Sequence, residues 1–225
     1  MIALDLFCCQ GGATRGYQQA GYRVVGIDIE DQPRYIGDEF WQADALAWVD
    51  QHMDWIRAEV SFIHASPPCQ RYSRAQKIQQ REHPDLIPPT RDLLNATGVP
   101  WVIENVEEAR PELRDPVLLC GASFGMTTYR HRLFETGGWT LTAPSHPPHT
   151  APLTKMGRPR RPGDFAHYVG NFSGVDEARA DMQMPWASRD GLRECIPPAY
   201  ARYVAEQHLA GHGPAPAAIP AACGA

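Results

Sequence analysis

The chain has 225 residues, of which 43% are hydrophobic and 21% are charged, and its formal net charge at pH 7 is −5. This length and composition predict one globular domain, or one domain with a small insertion, with enough apolar residues for a sizeable core. They argue against a membrane-spanning protein, because no apolar run approaches the roughly 20 residues that cross a bilayer, and the net charge alone does not indicate nucleic-acid binding.

The start of the chain and its cysteines indicate a cytoplasmic protein. Met1 leads directly into an apolar segment, without the basic stretch of a secretory signal. The six cysteines are Cys8, Cys9, Cys69, Cys120, Cys195 and Cys223. They contain no C-x-x-C pair and no disulfide-framework spacing, which suits a reducing compartment and argues against a structural zinc site. His146 and His149 form an alternative metal pair, but we favour ordinary loop histidines and predict no metal.

The amino-terminal part predicts two strands and two helices. A strand from Ile2 to Phe7 leads through a Gly11-Gly12 turn into a helix from Ala13 to Ala20, whose free N–H groups suit a carboxylate or a phosphate. A second strand, Tyr22 to Asp28, ends in an acid positioned to bond a ribose diol. We also predict one helix from Asp44 to Glu59 with Asp44 as its N-cap.

The middle of the chain carries a candidate nucleophile, Cys69. The apolar run from Phe62 to Ala65 predicts a buried strand, and Pro67-Pro68 ends it, so Cys69 should lie at the strand's carboxyl end. Ligands bind at that edge in open α/β sheets. The alternative is a free cysteine packed as a small hydrophobe. Positive charge on Arg71, Arg74 and Lys77 favours a reactive thiol, because it should lower the pKa of Cys69.

A carboxyl group is expected at the same edge. A helix from Arg91 to Thr97 follows two prolines and ends at Gly98, and a strand from Trp101 to Val106 comes next. Glu104 and Asn105 lie at the carboxyl end of that strand, beside Cys69. Apolar neighbours should raise the pKa of Glu104, whereas we expect Asn105 to support the loop.

The rest of the chain alternates between regular and irregular structure. Arg130 and Arg132 should share one face of a strand. Residues 137–174 are rich in proline and glycine and predict an irregular insertion, with short strands at Trp139 to Leu141 and Ala166 to Val169. From Glu177 the chain is predicted to be helical again, with a break at Pro185, a closing helix from Ala199 to Leu209 and a disordered tail from Gly211.

Two stretches, residues 71–81 and 155–162, carry four basic residues each and no acid. Either stretch suits nucleic-acid binding or a solvated face, and the residues alone leave both interpretations open.

Six motifs in order resemble the DNA (cytosine-5)-methyltransferase family, and its small phage-type members in particular, over residues 2–209. They are Asp5-Leu6-Phe7-Cys8-Cys9-Gln10-Gly11-Gly12, Gly26-Ile27-Asp28, Ala43-Asp44-Ala45, Ser66-Pro67-Pro68-Cys69-Gln70, Glu104-Asn105-Val106 and Arg130-His131-Arg132. Each alone is weak, but six at compatible spacing are a strong signal. The chain departs from the family at Cys9, which replaces a glycine, at Ile196 to Tyr200, which replaces a Gly-Asn-Ser/Thr-Val core, and in its short insertion.

The resemblance implies an α/β fold with a doubly wound, mostly parallel sheet, as in Rossmann-like S-adenosylmethionine-dependent methyltransferases, and a small irregular target-recognition insertion. The expected domains are a cofactor-binding and catalytic core over 1–136, the insertion over 137–174, a segment completing the core over 175–209, and a tail over 210–225. The implied activity is methylation of C5 of cytosine in double-stranded DNA, with the target base flipped out and a short target site.

The resemblance also implies residue roles. The catalytic residues would be Cys69, Glu104, Arg130 and Arg132. Cofactor contacts to S-adenosyl-L-methionine would come from Phe7, Cys8, Gln10, Gly11, Gly12, Asp28, Ile29, Asp44, Ala45 and Pro67. DNA contacts would come from Gln70, Arg71, Ser73, Arg74, Lys77, Arg158, Arg160 and Arg161.

Three other functions stay open at this point, and the wider assembly is an expectation. They are an RNA cytosine-5 methyltransferase, since a relative of this fold modifies transfer RNA with the same cysteine and glutamate, a catalytically silent DNA-binding subunit, and a dinucleotide oxidoreductase. We expect a monomer without membrane contact, and a restriction enzyme or a further base-modifying enzyme as a candidate partner.

Overall fold

A seven-stranded sheet forms the centre of the protein in the computed structural model, which describes residues 1–72, 84–155 and 157–211. The strands are β1 Ile2–Leu6, β2 Arg23–Asp28, β3 Glu39–Gln42, β4 Val60–Ala65, β5 Trp101–Asn105, β6 Val117–Leu119 and β7 Arg132–Gly137. Their order is β3-β2-β1-β4-β5-β7-β6. β7 is antiparallel to β5 and β6, and the other pairs are parallel. The predicted doubly wound, mostly parallel fold is therefore confirmed.

Helices cover both faces of the sheet. They are α1 Gly12–Gln19, α2 Ala45–Gln51, α3 Met53–Glu59, α4 Ile87–Thr97, α5 Val175–Asp181, α6 Arg189–Glu194 and α7 Pro198–Gly211. Leu4 and Ile63 face one core with α2, α3 and α4, whereas Ala3 and Phe62 face a second core with α1 and α7. Because both faces are buried, the central strands are nearly continuous apolar runs.

Two predictions about regular structure are wrong. The single helix predicted over Asp44 to Glu59 is two helices, α2 and α3, which meet at His52. The His52 ring stacks on the ring of Trp48. Its Nδ1 lies 2.7 Å from the Trp48 carbonyl oxygen, so the His52 side chain is hydrogen-bonded to one of the last carbonyl groups of α2. The strands expected at Trp139 to Leu141 and at Ala166 to Val169 are absent from the described residues, where Ala166 forms only an isolated bridge to Thr128.

Apart from the strand expected to carry both Arg130 and Arg132, which begins only at Arg132, the other predicted elements agree with the structure. The Asp44 carboxylate accepts from the Ala47 N–H and caps α2, as expected. Gly98 ends α4 with a left-handed φ of 73°, and the helices α5, α6 and α7 follow the insertion. The tail predicted to be disordered lies almost wholly outside the described residues. No helix among the described residues is long and apolar enough to span a membrane.

Candidate active site

The carboxyl ends of β4 and β5 and the amino end of β7 meet at one edge of the sheet, because β7 runs antiparallel to β5. Cys69 follows β4 in the loop that Pro67 and Pro68 begin. The Asn105 side chain donates from Nδ2 to the Pro67 carbonyl oxygen at 2.8 Å. The end of β5 therefore fixes the loop that carries Cys69, which is the supporting role expected for Asn105.

Glu104 is almost fully buried at this edge, with 5% of its surface exposed. Its Oε1 lies 3.0 Å from Nε of Arg132, yet accepts no hydrogen bond from the described residues, because the N–H is not directed at it. Burial raises the pKa of Glu104, and the opposing effects of Arg132, Ser66 and Arg130 are smaller. The expected rise is therefore present, and Glu104 can hold a proton at higher pH than an ordinary carboxyl group.

A chain of polar side chains, with Ser66 half-buried and His64 and Tyr17 fully buried, connects Glu104 to α1. Ser66 lies close enough to Glu104 to oppose the rise in the pKa of its carboxyl group, and its Oγ lies 2.8 Å from Nε2 of His64. Nδ1 of His64 lies 2.9 Å from the Tyr17 hydroxyl on α1. Burial lowers the pKa of His64 to about 3, so the imidazole is neutral at physiological pH. Sequence reasoning missed this role of His64 and Tyr17, because only the packing of α1 on the sheet brings them together.

The thiol of Cys69 is half-buried, and its pKa is raised. Burial is the largest cause, while Arg132 lowers the pKa, Glu104 raises it and Arg130 lowers it slightly. Among the described residues the pKa of Cys69 is therefore raised and not lowered as predicted, and the part of that prediction that concerns Arg74 and Lys77 falls outside them. The Arg71 guanidinium lies 4.0 Å from the carboxylate of Asp85. Ser73, Arg74 and Lys77 lie outside the described residues.

Arg130 does not share a strand face with Arg132, because β7 begins at Arg132 and Arg130 has a left-handed φ of 33°. Its buried guanidinium donates to the carbonyl oxygens of Tyr168, Arg193 and Cys195, at 3.2, 2.9 and 2.5 Å. Burial, assisted by Arg132, lowers the pKa of Arg130 to about 9. Arg130 thus joins the sheet to the 137–174 insertion and to the carboxyl-terminal segment.

The predicted cofactor residues lie around the ends of β1 and β2. Phe7 has a left-handed φ of 60°, and Gly11, with φ 83°, precedes α1. Both backbone N–H groups of Phe7 and Cys8 donate to the Ile27 carbonyl oxygen. The Asp28 carboxylate accepts from the N–H groups of Cys9 and Glu30, at 2.8 and 3.0 Å. Each oxygen of Asp28 therefore holds one hydrogen bond and keeps capacity for another.

The other predicted cofactor residues differ in their exposure to solvent. Ile29, directly after Asp28, is 64% exposed, and Asp44 is exposed at the start of α2. Ala45 and Pro67 are buried, and the Pro67 carbonyl oxygen is occupied by Asn105.

The carboxyl-terminal segment packs directly on the loop that follows β1. Gln10 exchanges two hydrogen bonds of 2.8 Å with Ser188, one from its Nε2 and one to its Oε1. A Cβ on Gly12 would lie 2.2 Å from the Ile196 carbonyl oxygen. The Gln10 side chain is therefore bonded to protein, and Ile196 contacts the loop although the family's motif is absent there.

The basic residues of the insertion fall into two groups. Arg160 lies 2.5 Å from the Glu177 carboxylate and also donates to the Thr127 hydroxyl. Arg158 and Arg161 are exposed to solvent, as are Gln70 and Arg71 after β4. Arg160 is therefore tied to α5 within the protein, whereas the other four are accessible.

Known structures with a similar fold include several methyltransferases. A candidate DNA modification methyltransferase encoded within an Escherichia coli prophage has a TM-score of 0.44 and 20% identity, over 61% of this chain and 46% of that chain. A Spodoptera frugiperda DNMT2 mutant has a TM-score of 0.42 and 19% identity, over 64% of this chain and 53% of that chain. Schizosaccharomyces pombe Dnmt2 has a TM-score of 0.42 and 20% identity, over 62% of this chain and 51% of that chain.

These similarities describe the arrangement of the chain and are too distant to carry an argument about its activity. The matched part of this chain spans about half the length of those three structures. No family model and no curated protein sequence matches the chain.

Proposed function

We propose that the protein is an S-adenosyl-L-methionine-dependent methyltransferase that acts on C5 of cytosine in DNA. The observation that carries this proposal is the convergence of Cys69, Glu104 and Arg132 at one sheet edge. A thiol, a carboxyl group with a raised pKa and a guanidinium group lie close enough for their charges to affect one another. These are the groups that addition to a pyrimidine ring requires.

The residues around β1 and β2 fit S-adenosyl-L-methionine. The Asp28 carboxylate retains acceptor capacity for a ribose diol, and the exposed Ile29 offers an apolar surface to adenine. Asp44 uses one carboxylate oxygen for capping α2, which leaves the other for the adenine amine. When bound, the cofactor would supply an electrophilic methyl group.

Cytosine C5 is a poor nucleophile, so the ring must first be activated. In the proposed mechanism Cys69 loses its proton to solvent and its sulfur adds to C6, assisted by the positive charge of Arg132. Glu104 holds a proton against ring N3 and neutralises the negative charge that develops there. Its Oε1, which is buried and lies 3.0 Å from Nε of Arg132, would have to turn toward the base to accept from the exocyclic amine. The C5 proton would then pass to water as the bond between C6 and the sulfur of Cys69 breaks, which restores the C5=C6 double bond.

The 137–174 insertion is proposed to read the target. Arg158 and Arg161 are exposed there and suit guanine or phosphate. An insertion of this size presents few side chains to the bases, so we infer a site of about two to four base pairs, since each base contact discriminates by about 1–3 kcal/mol. The target cytosine would be flipped out of the helix to reach Cys69.

Trapping with 5-fluorocytosine tests the proposal. Fluorine cannot leave C5 as a proton, so DNA carrying this base should remain covalently attached to the enzyme when cofactor is present. Cys69→Ser should form no adduct, and Cys223→Ser, which changes a cysteine of the carboxyl-terminal tail, is a matched thiol control that should still form one. Base-resolution methylation mapping in cells expressing the protein would then give the target. Trapping on RNA alone would identify an RNA methyltransferase, and trapping by Cys69→Ser would exclude Cys69 as the nucleophile.

A further inference from the structure

Four groups that bind metals converge beside the start of β7, on side chains far apart in sequence. They are Sγ of Cys120 and one ring nitrogen each of His131, His146 and His149, all within 4.8 Å of one another. Nε2 of His131 lies 3.3 Å from Nε2 of His149 and 3.4 Å from Nε2 of His146. Sγ of Cys120 lies 3.4 Å from Nε2 of His149.

Three of the six distances between the ligand atoms match those of a tetrahedral zinc site, and the other three are within 4.8 Å. With Zn–N near 2.0 Å and Zn–S near 2.3 Å, neighbouring ligand atoms are about 3.3 to 3.6 Å apart. A hydrogen bond joins only two of these atoms through one proton, whereas a single cation at the centre can accept a lone pair from all four. The cluster therefore has the geometry of a metal site more than that of a hydrogen-bonded network.

The surroundings of His131 favour metal binding. Its Nδ1 lies 2.9 Å from the Glu107 carboxylate, so Nδ1–H donates to Glu107 and the lone pair of Nε2 points into the cluster. A carboxylate bonded to the outer nitrogen of a metal-binding histidine fixes the tautomer and strengthens the ligand. Glu107 would also balance part of the charge of the ion.

Neighbouring parts of the fold position the four ligands. Cys120 directly follows β6 and His131 directly precedes β7, two strands that pair with each other. His146 and His149 flank two prolines, which restrict the backbone between them. The ring of Tyr129 stacks on His149 with centroids 3.6 Å apart.

Hydrogen bonds fix the two ends of the segment that carries His146 and His149. The Tyr203 hydroxyl donates to the Thr142 carbonyl oxygen at 2.8 Å, and the Ala151 N–H donates to the Tyr129 hydroxyl at 3.0 Å.

We propose that Cys120, His131, His146 and His149 bind one structural Zn²⁺ ion that ties the first part of the insertion to the sheet. One thiolate and three imidazoles are a ligand set that zinc prefers, and four protein ligands leave no open position for catalysis. The expectation of no zinc site rested on the absence of paired cysteines, and this site needs only one cysteine. The inference does not depend on the proposed reaction.

Metal analysis of the untagged full-length protein tests the site. We expect about one zinc per chain after purification without chelators, and loss of most of it in Cys120→Ser and in His146→Gln. His167→Gln, which changes an exposed histidine of the same insertion outside the cluster, should keep its zinc. Protein reconstituted with Co²⁺ should show the ligand-field bands of a tetrahedral site and a sulfur-to-cobalt charge-transfer band. Cys120→Ser should lose the charge-transfer band.

A thermal measurement separates a structural ion from one bound by chance. Removing zinc with a chelator should lower the melting temperature of the wild type by at least about 5 °C and leave that of Cys120→Ser unchanged. Wild-type protein that contains no zinc and gives no tetrahedral Co²⁺ spectrum would overturn the proposal. Full zinc content in the Cys120→Ser, His146→Gln double variant would overturn it as well.

Discussion

The two regions that meet at Arg130, the sheet edge and the 137–174 insertion, are built in different ways. Glu104 and Arg132 lie on paired strands whose backbone hydrogen bonds fix their relative positions. The described residues of the insertion instead form two isolated bridges and depend on side chains such as Tyr129 and Arg130. The chemical groups are thus positioned by regular backbone, whereas the proposed reader of DNA is positioned by individual side chains of the core.

The largest expected effect is on the chemistry of the sheet edge. Glu104→Gln removes a positioned proton donor with little change in shape, so the methylation rate should fall by a factor on the order of 10²–10⁴. DNA affinity and melting temperature should change little. Single-turnover methylation and binding measured on the same variant check this. Equal losses in rate and in binding would indicate that Glu104 is a structural carboxylate.

A second test compares two ion pairs, one in each region. Arg91 and Glu135 lie 2.5 Å apart with side chains 5% and 3% exposed, and Glu135→Gln leaves the guanidinium without its charged partner. We expect a loss of about 3–5 kcal/mol in the free energy of unfolding. The pair of Arg160 with Glu177 is 28% and 41% exposed, so Glu177→Gln should cost about 0–1 kcal/mol. Urea denaturation of both variants measures the difference, and equal losses would contradict the contrast between the regions.

The pH dependence of stability tests the core beneath the site. Burial raises the pKa of Asp5 to about 7, the nearby carboxylates of Asp28 and Glu104 add to this, and the hydrogen bond from Thr14 opposes it. Between the unfolded pKa of 3.8 and the folded value of about 7, the folded protein holds a proton that the unfolded chain has lost. Burial of Asp5 therefore destabilises the folded protein least below pH 4, and the free energy of unfolding falls as the pH rises toward 7.

Asp5→Asn removes this titration while keeping an acceptor for Thr14. The variant should therefore become more stable than the wild type by up to about 4 kcal/mol as the pH rises from 4 to 7, with no further gain above that range. Denaturation at several pH values checks the difference between the two proteins. If the difference in the free energy of unfolding between the two proteins did not change between pH 4 and 7, Asp5 would be ionised in the folded protein over that whole range, and its pKa would not be raised.

The smallest expected effects lie on the surface of the insertion. Arg158→Ala and Arg161→Ala should change the free energy of unfolding by less than about 0.5 kcal/mol. A variant that loses a phosphate contact should bind DNA more weakly and reduce the slope of log affinity against log salt by about 1. A variant that loses a base contact should relax the target site. Unchanged binding in both variants would exclude this surface as the reader.

The features of the structure that depend only on residues close together in the sequence could be predicted. The apolar runs of β1, β2, β4 and β5, the Asp44 cap and the ending at Gly98 depend on neighbouring residues, and the structure agrees with each. The left-handed Arg130 could not be predicted, because its conformation depends on three carbonyl acceptors far along the chain. The direction of the Cys69 pKa also depends on burial that only the packed loop reveals.

The contact between α1 and α7 has a consequence for the order of folding. Gly16 on α1 has no side chain, and a Cβ there would lie 2.3 Å from the Pro198 carbonyl oxygen at the start of α7. The buried bond between Tyr22 and His208 likewise spans 186 residues. Contacts at such separation form late, because a long stretch of chain must be ordered first. During synthesis, α1 and the adjoining face of β1 and β4 therefore stay uncovered until α7 has left the ribosome, and that interval is when the nascent protein is most exposed to aggregation.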